Sequence, residues 1–162
     1  MSEGKQASLL ARKAGRARPG RDGDRSPWGK AWRVVVPRVV DEALGVEARL
    51  LTARQRREGI KEILANSEDT GLFLRLQGPG AGVGVAHLDG GFLAALIEAM
   101  TVGRVLQADA PQRMGTKTDA AIVGPVIDRL LTAAAGEADE DEPGPPWGGF
   151  TVAGRFADRR SA

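Results

Sequence analysis

Between Trp28 and Leu44 apolar residues return every three or four positions: Trp32, Val35, Val36, Val39, Val40, Ala43 and Leu44. That spacing puts them on one face of a helix. Pro37 conflicts with an unbroken helix. It is expected either to open the main helix at its first turn or to kink a longer one. Gly45 is the natural stop. Val46 to Thr52 alternates loosely, which predicts a strand. Ala53 to Leu64 is rich in Arg, Glu and Lys, with Ile60, Ile63 and Leu64 on one side, and predicts a short amphipathic helix. Asn66 to Thr70 reads as a polar turn.

The pattern then changes period. Gly71 to Gln77 and Gly82 to Leu88 read as two strands joined by the turn Gly78 to Gly82, a β-hairpin. Asp89 is placed to cap a helix in which Phe92, Leu93, Leu96, Ile97 and Met100 share a face and which Gly103 ends. Leu106 to Gly115 is a loop. Thr116 and Asp119 have the spacing of a capping box. The helix they open carries Ile122, Val123, Val126, Ile127, Leu130 and Leu131 on its apolar face, with Pro125 expected to kink it. Phe150 to Phe156 predicts a last strand. The order helix, strand, helix, hairpin, helix, helix, strand is an α/β (α+β) class, with a small sheet packed by two to four helices.

Composition sharpens this outline at its ends. Residues 1 to 27 are rich in Gly, Ala, Arg and Ser and too poor in large apolar residues to offset the entropy of ordering, so a disordered basic arm is expected. Residues 1 to 33 hold nine Lys or Arg against Glu3, Asp22 and Asp24. Clustered positive charge of this kind can release counterions from nucleic acid, but no aromatic or structured motif accompanies it, and a solubilising tail is the plainer reading. Residues 136 to 147 form an acidic, Pro/Gly-rich linker inside a domain expected over 28 to 158, and 159 to 162 form a tail. No apolar run approaches the length of a membrane span, and no apolar stretch follows the N-terminal charges as in a secretory signal. With no cysteine in the chain, disulfides, thiolate metal sites and a Cys nucleophile are excluded. A soluble, cytoplasmic protein is expected.

Few residues carry candidate chemistry. Gly78, Gly80, Gly82 and Gly84 fit no phosphate-loop spacing and join two strands, so a hairpin turn is the better reading. His87 is the single histidine and lacks the second histidine or cysteines of a typical metal site. Ser8 or Ser67 could complete a Ser-His-Asp set only formally, since no nucleophile elbow surrounds them. Asp89 and Asp119 read as helix caps, and Glu98 and Asp128 fall on polar helix sides. No catalytic residue, no cofactor site and no metal site is expected.

Several motifs in order carry a family resemblance. Gly84-Val85-Ala86-His87-Leu88-Asp89 precedes Phe92-Leu93-Ala94-Ala95-Leu96-Ile97-Glu98. Thr101-Val102-Gly103-Arg104 follows. Then come Gly115-Thr116-Lys117-Thr118-Asp119-Ala120-Ala121, Ile127-Asp128-Arg129-Leu130-Leu131, and Gly149 to Asp158. In this order and spacing, residues about 46 to 157 resemble the middle domain of FliM/FliN-family flagellar motor switch proteins.

The resemblance implies a CheC-like domain in the cytoplasmic C-ring of the flagellar basal body, peripheral to the membrane. It would be non-enzymatic and bind other switch proteins (FliG-like and FliN-like) or a second copy of itself, for motility and chemotaxis. Thr101, Val102, Gly103 and Arg104 are the expected partner contact, together with the loop from Leu106 to Thr116. The family's Gly-Gly-x-Gly turn is reduced here to Gly103, and a basic arm stands where the family has its CheY-binding peptide. Related CheC-type phosphatases place Glu and Asn four and seven residues after an Asp or Ser. From Asp119 those positions are Val123 and Val126, so phosphatase activity is not implied. The family domain has two similar halves, and this chain is expected to hold only the first, leaving apolar surface and a strand edge open. A type III secretion C-ring component and a nucleic-acid-binding protein acting through the basic arm are the alternative readings.

Overall fold

The computed structural model describes residues 27–55, 58–68, 70–106, 112–137 and 144–156. The expected basic arm up to residue 26, the middle of the acidic linker and the tail lie outside the described residues. Within them the fold is mixed α+β. Four helices, α1 (Pro27–Leu44), α2 (Ile60–Asn66), α3 (Gly90–Val102) and α4 (Lys117–Gly136), accompany strands β1 (Leu72–Gln77), β2 (Val83–Leu88) and β3 (Thr151–Arg155). The sheet is antiparallel, in the order β2-β1-β3.

The hairpin β1–β2 runs in register from Leu72 opposite Leu88 to Gln77 opposite Val83. Alternation puts Leu72, Leu74 and Leu76 on one face, where all three are buried. Against that face lie Val35 and Val39 of α1, Leu93 and Leu96 of α3, and Val123, Val126, Ile127, Leu130 and Leu131 of α4. Leucines and valines supply this core, each contributing roughly 1.5–3 kcal/mol on full burial. The glycines of the hairpin turn have a packing reason. The Phe150 ring lies on Gly78 and Gly82 and on Gly84 of β2: a Cβ on Gly78 would come within 2.4 Å of that ring, and one on Gly82 or Gly84 within 3.2 Å.

Two expectations need correction. Val46 to Thr52 forms no strand. Val46, Ala48 and Leu50 are half-buried while Glu47, Arg49 and Leu51 are exposed, so the alternation reports an extended segment laid on the surface without a neighbouring strand to bond. The helix expected over Ala53 to Leu64 occupies Ile60–Asn66 instead, with Gly59 and Glu62 closing its first turn. Of the two outcomes expected at Pro37, the longer helix forms: α1 runs through Pro37, and α4 runs through Pro125. The two helices pack along each other, and burial of Val35, Val39, Val126 and Leu130 on either side of the prolines offsets the lost backbone bonds.

Both predicted caps form. Asp89 Oδ1 accepts the Phe92 N–H at 2.9 Å. Thr116 and Asp119 exchange hydrogen bonds across the first turn of α4, at 2.7 and 3.1 Å. No helix among the described residues is long and apolar enough to cross a membrane.

Candidate partner-binding surface

α3 has the sequence GGFLAALIEAMTV, in which Glu98 and Thr101 alone are polar. A helix apolar on all sides is normally buried on all sides. This one is not. Leu93, Leu96 and Ala99 enter the core, but Phe92 is 46% exposed and Val102 53%. Just beyond the helix, Val105 and Leu106 are exposed as well. The sequence placed Phe92 on the buried face. It sits instead at the boundary, one position before Leu93 and so about 100° around the helix from it.

The residues predicted as the partner contact, Thr101, Val102, Gly103 and Arg104, all lie exposed at the C-terminal end of α3. Their backbone is fixed. Gly103 takes the left-handed conformation at φ 78°, and its N–H donates to the Ala99 carbonyl. The Thr101 hydroxyl donates to the Ile97 carbonyl at 2.8 Å. Glu98 accepts the Leu106 N–H at 2.8 Å and so folds the chain back along the helix. The result is a defined surface with Val102, Val105 and Leu106 outward.

The far end of the loop predicted as contact, Gln112 to Thr116, is anchored (residues 107–111 lie outside the described residues). The Gly71 N–H donates to the Arg113 carbonyl, and the Gly115 N–H to the Gly71 carbonyl. Arg113 grips Asp119 with both terminal guanidinium nitrogens, at 2.8 and 3.0 Å. Burial alone would raise the Asp119 carboxyl. The hydrogen bonds from Arg113 and Thr116, with the Arg113 charge, outweigh burial and hold it below the usual carboxylate range. Sequence spacing gave the Thr116–Asp119 box but not Arg113, which reaches the carboxylate only because the loop folds back onto β1.

The other candidate residues are engaged structurally. His87 stacks on Phe73 with ring centroids 4.2 Å apart, and its Nε2 lies 3.0 Å from the Thr70 carbonyl, to which it donates in the matching tautomer. The Ser67 hydroxyl donates to the Ile63 carbonyl at the end of α2, and Ser8 lies outside the described residues. Val123 and Val126, the positions the phosphatase comparison singled out, are 0% and 4% exposed in the core. Asp128 accepts the Val152 N–H at 2.6 Å and so ties α4 to β3. Beside that contact lies a shallow open groove of about 500 Å³, with Lys117, Pro125 and Arg155 among its lining residues. Among the described residues no three His, Cys, Asp or Glu side chains gather as a metal site would require.

One feature had no sequence signal. All three tryptophans meet: Trp147 packs edge-on to Trp28 at 5.5 Å and tilted on Trp32 at 5.4 Å. The segment leading into β3 is thereby held against α1, and the Trp147 indole N–H is buried without a hydrogen-bond partner among the described residues. Residues 115 positions apart carry no local periodicity that could reveal this.

Compared with family models, with curated proteins and with solved structures, the chain matches none.

Proposed function

We propose that this chain is a non-enzymatic assembly protein of the flagellar motor-switch type, working in the cytoplasmic C-ring by binding other switch components. The observation that carries the assembly reading is α3, an all-round apolar helix with Phe92 and Val102 outward and Val105 and Leu106 beside it. Val102, Val105 and Leu106 are exposed at a conformationally fixed turn, and apolar groups so placed favour burial against another protein. The flagellar assignment rests on the ordered motifs from Gly84 to Asp158. A type III secretion C-ring component would use the same surface, and the genes flanking this one separate the two.

The test is affinity co-purification of the full chain from its own cells, with a motility assay on the deletion strain. The reading expects switch components in the eluate and impaired motility. Normal motility together with no associated switch component overturns it. The nucleic-acid reading draws on the excess of Lys and Arg in residues 1–33. It predicts binding that weakens steeply with salt and disappears when the arm is removed.

A further inference from the structure

The two edges of the sheet are treated differently. At β3 the outward N–H of Val152 is capped by the Asp128 carboxylate, and α4 packs along the strand with Gly124 against Val152. The carboxylate thereby occupies a donor that a further strand would need. At β2 no such cap is present among the described residues. The strand reads VGVAHL, without Lys, Arg, Asp, Glu or Pro, and Val83 is 63% exposed.

The hydrogen-bond pattern shows which groups β2 turns outward. Across β1 and β3 the Phe156 N–H donates to the Phe73 carbonyl, so Phe73 turns its backbone polar groups toward β3. Antiparallel ladders alternate. Leu72, Leu74 and Leu76 therefore bond β2 through their partners Leu88, Ala86 and Gly84. Val83, Val85 and His87 are left pointing N–H and C=O away from β1, and no strand bonds them among the described residues.

These three residues are spaced symmetrically about Val85. From this we infer that β2 pairs antiparallel with β2 of a second copy of the chain, about a two-fold axis through Val85. In that register Val85 faces its own copy and Val83 faces His87 of the partner subunit. Every outward N–H and C=O of the two strands then finds a partner. A two-fold axis normal to the sheet keeps each side chain on its own face. Gly84 therefore meets Ala86 of the partner subunit on the core side, and the two three-stranded sheets become one. No like charges face each other across the axis, which would otherwise oppose self-pairing. The contact is isologous and closed, so it stops at a dimer. The inference stands independently of the motor-switch reading.

Sedimentation of the full chain over a dilution series, combined with amide hydrogen exchange, tests it. A reversible dimer is expected, with the amides of Val83, Val85 and His87 gaining protection as concentration rises. The amides of Gly84, Ala86 and Leu88 stay protected throughout, because β1 holds them. Val85→Lys sets two cations on the axis. Val85→Pro removes only an outward N–H, which an edge strand tolerates. Both variants are expected to be monomeric with unchanged circular dichroism. A wild-type chain that stays monomeric at every concentration overturns the proposal. So does a dimer that survives both substitutions, or concentration-dependent protection confined to residues outside β2.

Discussion

Helices α3 and α4 both begin with a side-chain cap, Asp89 on one and the Thr116–Asp119 pair on the other, and both run apolar. Their surroundings then differ. In α4 Val123, Val126, Ile127, Leu130, Leu131 and Ala134 are all buried, shared between α1 and the sheet. In α3 the apolar residues extend past the buried stripe to Phe92 and Val102. The α4 side also has its loose polar groups closed off, since Asp128 caps β3 and Arg113 grips Asp119. The α3 side joins the bare edge strand β2. Among the described residues, the apolar side chains of α4 are covered by the chain itself. Phe92 and Val102 of α3 and the outward backbone groups of β2 have no such cover among the described residues. Substitutions on the α4 side should therefore be read in stability, and those on the α3 side in association.

The largest effect is expected from Leu130→Ala, which opens a cavity between α4 and its neighbours and should cost about 2–4 kcal/mol in urea unfolding. Asp119→Ala follows at about 2 kcal/mol, because it removes a capping box and leaves Arg113 without its carboxylate. That contribution has a defined pH dependence. The folded carboxyl lies below the unfolded value of about 4, so its stabilisation is complete above that pH and is lost as pH falls through the folded value. The difference in unfolding free energy between wild type and Asp119→Asn should be flat at neutral pH and shrink under acid. A difference that instead grows on acidification would contradict the arrangement.

Asp128→Ala should cost about 1 kcal/mol by freeing the Val152 N–H, and it should leave α3-mediated association untouched. The smallest stability effects belong to Phe92→Glu and Val102→Lys, within about 0.5 kcal/mol of wild type. Both respect the helix dipole, with the acid in the first turn and the base in the last. They nevertheless place charge on the exposed apolar surface, so binding should fall while thermal unfolding stays where it was.

The sequence made the local rules visible. The caps at Asp89 and Thr116, the hairpin from Gly71 to Leu88, the stop at Gly103 and the core face of α4 all follow from periods of two or 3.6 and from residues within one turn of each other. What failed depended on partners far along the chain. Val46 to Thr52 has strand alternation but no strand beside it. Phe92 follows the apolar pattern yet stays half outside the core, because nothing in the described fold covers that flank. The candidate contact at Thr101 to Arg104 came from resemblance. Its exposed position and its fixed turn are structural findings, whereas the meeting of Trp28, Trp32 and Trp147 had no sequence counterpart at all.

The most direct measurement compares wild type with Val102→Lys in affinity co-purification from the native cells, alongside thermal unfolding of both. The account predicts that wild type retains switch components, that Val102→Lys loses them, and that the two unfold at the same temperature. Undiminished retention by Val102→Lys, or a wild-type chain that retains no switch component, would contradict it.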